Sequence, residues 1–216
     1  MPTILLIRHG ENDYVEKGRL AGRLQGVHLN EKGRAQAEKL AELLAKAPVK
    51  AVYSSPLERT METAEPIARA LGMQVTPRDG LLEIDFGDWQ DGELKELKEQ
   101  DLWKVVQYHP SLTRFPNGET FAEAQGRGVR EIETLCQQHD PKDMFVCVTH
   151  SDLIKLLTAY YLGLPLDMFQ RLLIFPASIT TLHVGHGGAR LVHINHSVSF
   201  NLPKPEKEHS EDEADS

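Results

Sequence analysis

The chain has 216 residues, of which 40% are hydrophobic and 26% are charged, and this composition predicts one soluble domain with a sizeable core. Its formal net charge of −8 argues against a general nucleic-acid-binding surface. No apolar run approaches the length of a membrane span, and the first residues lack the pattern of a signal peptide. Cys136 and Cys147 lie in apolar stretches without metal-ligand spacing, so we expect reduced core cysteines and a cytoplasmic protein.

Residues 203–216 form an acidic segment that has no aromatic or branched apolar side chain. Such a segment cannot bury enough surface to offset the entropy of ordering it, so we expect a disordered tail. The pattern leaves open whether this tail is an inert solvated end or contacts a partner. Residues 1–202 are then predicted to form the single domain.

Short β-type runs alternate with helical periods through this domain. The predicted strands are residues 4–7, 51–53 and 144–149, and helical stripes cover residues 31–47, 57–71, 121–136 and 153–161. Residues 179–184 and 189–195 flank a glycine-rich turn that is typical of a hairpin. This order predicts an α/β three-layer sandwich, with a mostly parallel central sheet and helices on both faces.

Residues 93–117 fit this alternation poorly, because a polar helical start is followed by a mixture of aromatic, proline and basic residues. We interpret this segment as an insertion that forms a lid over the ligand site.

The first candidate for chemistry is the pair Arg8 and His9, directly after the first predicted strand. An unprotonated imidazole is a nucleophile at neutral pH, and a guanidinium can hold a phosphate through two hydrogen bonds. The pair therefore indicates phosphoryl transfer onto histidine. A structural role for His9 is the alternative that this pair leaves open by itself.

Three further places repeat this pattern of a strand followed by a reactive side chain. After the second strand, Ser55 is predicted to cap a helix that carries Arg59 in its first turn, where the helix field favours an anion. His150 follows the third strand. Glu83 lies between apolar residues, where burying a carboxylate costs free energy and therefore indicates an ion pair or a functional role. A surface ion pair for Arg59 and a core position for His150 are the structural alternatives.

Four ordered motifs together closely resemble the histidine phosphatase superfamily, in its phosphoglycerate mutase-like branch. They are Leu-Ile-Arg8-His9-Gly10-Glu11, the run from Tyr53 through Arg59 to Ala64, the run from Leu82-Glu83 to Trp89, and Val148-Thr149-His150-Ser151. The resemblance spans nearly the whole predicted domain.

The resemblance implies a catalytic role for five residues. His9 attacks the phosphorus and becomes a phosphohistidine, while Arg8, Arg59 and His150 donate hydrogen bonds to the phosphoryl oxygens. Glu83 protonates the leaving oxygen and then takes a proton from the incoming water. No metal and no cofactor is implied. The expected partner is a small phosphorylated metabolite, without nucleic acid or membrane, and the sequence leaves the choice between monomer and homodimer open.

Some positions depart from the family pattern. The family often has Asn where this chain has Val15, and Asn12 is a candidate to supply the missing phosphate contact. In the loop that resembles the family's phosphate loop, either Gly22 or Gly26 is a candidate for a backbone contact. Ser151 replaces a residue that is Gly in some relatives and is predicted to help bind substrate.

Several other functions are alternatives to a phosphatase. The sequence lacks the signatures of cysteine phosphatases, aspartate phosphatases and P-loop enzymes. A zinc site formed by His183, His186, His193 and His196 is disfavoured, because strand residues three apart point to opposite faces. A phosphoglycerate mutase-type phosphomutase and a non-catalytic phosphoester-binding protein remain as alternatives. The length of the segment between Glu83 and His150 favours the phosphatase.

The substrate is predicted only as a class, namely a phosphosugar, a phosphoglycerate or a similar metabolite. The aromatic and basic residues of the insertion are candidates to face the leaving group, namely Trp103, Tyr108, His109, Arg114 and Phe115. A substrate carboxylate is expected to bind Arg23 or Arg114, if one is present.

Overall fold

The computed structural model describes residues 1–185 and 187–197. Six strands run through this part of the chain: β1 (Thr3–Arg8), β2 (Val49–Ser54), β3 (Val75–Pro77), β4 (Met144–Thr149), β5 (Ile179–Gly185) and β6 (Gly188–His196). The helices are α1 (Asp13–Glu16), α2 (Glu31–Leu44), α3 (Glu58–Ala70), α4 (Leu94–Leu97), α5 (Asp101–Tyr108), α6 (Phe121–Gln137) and α7 (Ser151–Leu162). His186 and the acidic segment 203–216 lie outside the described residues.

Within the described residues, the strands form one sheet in the order β3-β2-β4-β1-β5-β6. The pairs β3-β2, β2-β4 and β4-β1 are parallel, whereas β5 pairs antiparallel with β1 and β6. Gly185 pairs with Gly188, as the predicted hairpin requires. The sheet confirms the predicted α/β fold with a mostly parallel sheet.

The central strands bury alternate residues on opposite faces, which explains why their sequences are almost continuously apolar. Ile4 and Leu6 of β1 pack with α6 and α7, while Leu5 and Ile7 pack with α2 and α3. Each of these side chains is at most 7% exposed, and burying one contributes about 1.5–3 kcal/mol. The two apolar faces of β1 therefore fix the end of that strand, and with it Arg8, relative to the helices.

Several boundaries differ from the sequence-based expectation. The helix predicted for residues 31–47 ends at Leu44, and Pro48 lacks the N–H that would donate to the Leu44 carbonyl in a continued helix. The short elements α1 and β3, of four and three residues, carry too few side chains to show a period and were not predicted.

The segment that was expected to form a lid contains α4, α5 and a 3-10 turn at Pro110–Leu112. Leu97 and Val106 of this segment pack into an apolar cluster with Trp89, Phe115 and Phe121. This cluster holds the segment against the body of the domain, next to the carboxyl ends of the parallel strands. In the described part of the chain, no helix combines the length and hydropathy needed to cross a membrane.

Candidate active site

A cavity of about 330 Å³ lies at the carboxyl ends of the neighbouring strands β1, β4 and β2. Parallel strands place the residues that follow them at one edge of the sheet, so motifs far apart in sequence meet there. Seven of the eight predicted site residues line this cavity: Arg8, His9, Asn12, Gly22, Arg59, Glu83 and Ser151. The eighth, His150, is fully buried directly behind Arg59 and Glu83.

His9 is held as the neutral tautomer that exposes Nε2. Its Nδ1 lies 2.7 Å from the carbonyl oxygen of Gly10, which can only accept, so Nδ1 carries the proton and Nε2 has a free lone pair. Burial lowers the pKa of His9 well below 6.5, and the positive charges of Arg59 and Arg8 lower it further. The imidazole is therefore unprotonated at neutral pH.

Arg8 and Arg59 place buried hydrogen-bond donors around His9. Arg8 Nη1 donates to the carbonyl of Ile174 at 2.7 Å, and Arg59 Nη2 donates to the carbonyl of Gly22 at 2.6 Å. Arg8 Nε and both Arg59 Nε and Nη1 are buried without a partner among the described residues. Burial lowers the pKa of Arg59 to about 10, so its guanidinium stays charged at neutral pH.

Asn12 adds a fourth buried donor to this cavity. Its Oδ1 accepts a hydrogen bond from the backbone N–H of Val15 at 2.9 Å and caps α1. Its Nδ2 has no partner among the described residues. Because unsatisfied buried donors cost about 1–3 kcal/mol each, such a cluster indicates a site for an anion with several acceptor oxygens.

Of the two candidate glycines in the phosphate-type loop, Gly22 lines the cavity and Gly26 does not. Gly22 has a φ of +52°, and a Cβ at this position would lie within 3.0 Å of Gln90 side-chain atoms. Only glycine fits this backbone without displacing Gln90. The backbone N–H of Gly26 instead donates to Glu58 at 3.0 Å.

Glu83 is buried with a pKa raised to about 7. Burial is the main cause of this rise, and the negative charge of Asp152 adds to it.

The Glu83 backbone carbonyl accepts hydrogen bonds from Arg23 at 2.9 Å and Arg127 at 3.3 Å. Both guanidiniums also pair with Glu119, at 2.7 and 3.1 Å. These contacts fix Glu83 and occupy Arg23, which does not line the cavity and does not offer its charge to a substrate carboxylate.

Ser55 has a different position from the one predicted from sequence. The helix α3 begins at Glu58 with Leu57 as its N-cap, so the prediction that Ser55 caps it is wrong. The reason is that Ser55 still pairs with the sheet, through a hydrogen bond from its N–H to the carbonyl of Val148. Its hydroxyl lies 2.9 Å from Nε2 of His150, a contact that sequence reasoning missed.

The described geometry also sets the tautomer of His150. Arg59 Nη2 lies 3.3 Å from His150 Nδ1 and can only donate, so Nδ1 accepts and Nε2 donates to the Ser55 hydroxyl. Burial lowers the pKa of His150 well below 6.5, and Arg59 adds to the effect. The ring is therefore a second neutral imidazole, with its centroid 5.4 Å from that of His9.

We call the lining residues beyond the predicted phosphate site the outer wall of the cavity, and sequence reasoning missed many of them. The missed residues are Tyr14, Arg19, Leu20, Trp89, Leu94, Val106, Gln107, Asp152, Lys155 and Gln170. Of the residues predicted to face the leaving group, Trp103 and Phe115 line the cavity. Tyr108, His109 and Arg114 are exposed outside it, and Arg114 pairs with Glu123 at 2.7 Å.

The predicted zinc alternative gains no support from the described residues. His186 lies outside them. Within residues 1–185 and 187–197, no three His, Cys, Asp or Glu side chains are grouped as metal ligands.

Residues 4–197 match the family model of the histidine phosphatase superfamily, branch 1. The chain belongs to the histidine phosphatase superfamily. This confirms the family that the four motifs predicted.

Relatives in this superfamily include both hydrolases and mutases. The chain is 31% identical to phosphoserine phosphatase 1 of Hydrogenobacter thermophilus, over 85% of this chain and 87% of that protein. It is 29% identical to the 2,3-bisphosphoglycerate-dependent phosphoglycerate mutase of Thermoplasma acidophilum, over 87% of this chain and 90% of the mutase. A solved phosphoserine phosphatase of Entamoeba histolytica, in complex with 3-phosphoglyceric acid, has a TM-score of 0.81 at 28% identity. That comparison covers 92% of this chain and 98% of the other.

Proposed function

We propose that this protein is a phosphatase that hydrolyses a small-molecule phosphomonoester through a phosphohistidine on His9. The observation that carries the proposal is the group of unpartnered buried donors, on Arg8, Asn12 and Arg59, around a neutral imidazole with a free Nε2. Membership of the histidine phosphatase superfamily and the phosphatase relatives support the same class of activity. The enzyme is thus a phosphoric monoester hydrolase of this superfamily.

The first step transfers the phosphoryl group to His9. The Nε2 lone pair forms a bond to phosphorus while the bond from phosphorus to the ester oxygen breaks. Arg8, Arg59 and Asn12 donate to the phosphoryl oxygens, where negative charge is spread in a loose transition state. The Glu83 carboxyl group gives its proton to the leaving oxygen, and its pKa of about 7 suits this task.

The second step returns the enzyme to its starting state. The Glu83 carboxylate takes a proton from a water molecule, and the resulting hydroxide attacks phosphorus as the bond to Nε2 breaks. Orthophosphate then leaves, and both Glu83 and His9 have recovered their initial protonation.

His150 takes part as a donor to the phosphoryl group in this proposal. For this task Nδ1 must carry the proton, which is the opposite tautomer from the one that accepts from Arg59. A hydroxyl both donates and accepts, so Ser55 supports either tautomer: it accepts from Nε2–H in one and donates to Nε2 in the other.

Turnover of a panel of alkyl phosphomonoesters tests the proposed function. We expect wild-type protein to release orthophosphate, and His9→Ala to lose this activity while its circular dichroism spectrum is unchanged. The phosphomutase alternative is examined with 3-phosphoglycerate and a trace of 2,3-bisphosphoglycerate. Rapid isomerisation without phosphate release would replace the phosphatase proposal with the mutase.

Asn12→Asp tests whether the unpartnered Nδ2 of Asn12 binds phosphate in place of the family's usual Asn. The aspartate keeps the oxygen that caps α1 but removes the Nδ2 donor and adds a negative charge, so we expect orthophosphate to bind at least about ten-fold more weakly. Asn30→Asp is the matched control, because Asn30 caps α2 in the same way and lies outside the cavity. Isothermal titration measures both affinities. Equal binding by wild type and Asn12→Asp would remove Asn12 from the phosphate site.

The pH dependence of kcat/KM tests the acid role of Glu83. Since only the protonated carboxyl can donate, kcat/KM for an alkyl phosphate should fall as the pH rises through about 7. On the acid side, His9 should remain a nucleophile until the pH is well below 6.5. Glu83→Gln should lower kcat/KM for alkyl esters by about 10²–10⁴-fold and spare nitrophenyl phosphate, whose leaving group needs little protonation.

The control for this experiment is Glu11→Gln, which removes a carboxylate close in sequence to His9 that does not line the cavity. The kcat/KM of Glu11→Gln should still fall as the pH rises through about 7. Equal losses for alkyl and nitrophenyl esters in Glu83→Gln would exclude Glu83 as the acid.

A further inference from the structure

The cavity has two chemically different ends. The end at His9 carries the two guanidiniums, whereas the other end is built from apolar side chains: Phe86, Trp89, Leu94, Trp103, Val106 and Phe115. Trp89 and Phe86 both contact the Phe115 ring edge-on, with centroid distances of 5.3 and 5.0 Å. These aromatic contacts make the apolar end a packed and preorganised surface rather than a loose one.

Trp103 forms the part of this surface that is best placed to meet a ligand. Its ring stacks on Trp89 with a centroid distance of 6.1 Å and an interplanar angle of 20°. Unlike Trp89, which is 4% exposed, Trp103 is only partly buried and therefore keeps accessible ring surface. Covering apolar surface of this kind with an apolar group is favourable, and flat rings stack well on tryptophan.

The cationic side chains at the outer wall are already neutralised. Arg19 forms an ion pair with Asp91 at 2.7 Å, and its Nη2 also donates to the Asp91 backbone carbonyl. Lys155 pairs with Asp152 at 2.9 Å. Among the described lining residues, the remaining cations are Arg8 and Arg59, which belong to the phosphate end. A carboxylate on the leaving group would therefore find both of these outer cations already paired with a carboxylate of the protein.

We propose that the preferred substrates are phosphate esters of neutral, largely apolar alcohols that place a flat group against Trp103. This rests on the proposed function and narrows it to a substrate class. It sets the chain apart from the relatives named for phosphoserine, whose leaving group carries both a carboxylate and an ammonium group.

The test compares esters of primary alcohols, none of which has the acidic leaving group of a nitrophenyl ester. We expect kcat/KM for 2-phenylethyl phosphate to exceed that for ethyl phosphate, O-phosphoserine and 3-phosphoglycerate by at least about ten-fold, given what a pocket gains per added carbon. An equal or greater kcat/KM for either carboxylated ester would overturn the substrate class.

Two variants in α5 test whether Trp103 is responsible for the preference for 2-phenylethyl phosphate. Trp103→Ala should lower kcat/KM for 2-phenylethyl phosphate by at least about ten-fold and leave ethyl phosphate within about three-fold. Tyr108→Ala is the matched control, because this aromatic residue of the same helix is 71% exposed and outside the cavity, and it should change neither ester. Equal losses for both esters in Trp103→Ala, or a lost preference in Tyr108→Ala, would contradict the assignment to Trp103.

A binding measurement on wild-type protein keeps the inference testable if Trp103→Ala does not fold. The phosphonate 3-phenylpropylphosphonate, which cannot be hydrolysed, should bind at least about ten-fold more tightly than ethylphosphonate. Equal affinities would overturn the inference. Hydrolysis of all esters without preference would leave the phosphatase standing and remove the substrate class. Selective phosphonate binding without hydrolysis of any ester would overturn the proposed phosphatase activity and leave the preference for apolar groups standing.

Discussion

The structure depends on two guanidinium groups, the buried one of Arg59 and the half-buried one of Arg8, beside a buried, neutral imidazole. Removing charge from water is costly, and Arg8 and Arg59 compensate only part of that cost with backbone carbonyls. The donors left without partners, together with the positive charge, are complementary to a phosphoryl group. Burial keeps the nearby imidazole unprotonated, and the same charges add to this effect. In the proposed mechanism, the site that holds the phosphate also prepares the nucleophile that attacks it.

Burial has opposite and complementary consequences for the two titrating groups of the site. It disfavours the charged form of each, so it lowers the pKa of His9 and raises that of Glu83. One neutral nucleophile and one protonated acid therefore coexist near neutral pH. The fold provides this environment because three parallel strands end at one edge of the sheet, and the segment with α4 and α5 covers the apolar side of the cavity. In the proposed substrate preference, Trp103 then discriminates between leaving groups.

Much of the site follows from local sequence signals, because reactive residues directly after parallel strands meet at one sheet edge. Other features depend on contacts between distant segments. Ser55 resembled a helix cap until its pairing with Val148 was known, and the ion pair between Arg19 and Asp91 has no local signal. The positions of the aromatic residues of α5 could be predicted from sequence only in part. Trp103 and Val106 are one helical turn apart and face the cavity, whereas Tyr108 falls on the other side, so helical periodicity would have separated them.

Trapping the covalent intermediate tests the central claim most directly. Glu83→Gln should still be phosphorylated by an ester with an acidic leaving group but should be slow to activate water, so the adduct should accumulate. Rapid quenching with a radiolabelled nitrophenyl phosphate, followed by peptide mapping, locates the label. The account predicts a stoichiometric, acid-labile and base-stable phosphoryl group on His9. Release of orthophosphate with no labelled protein at any time, or a label on another residue, would contradict it.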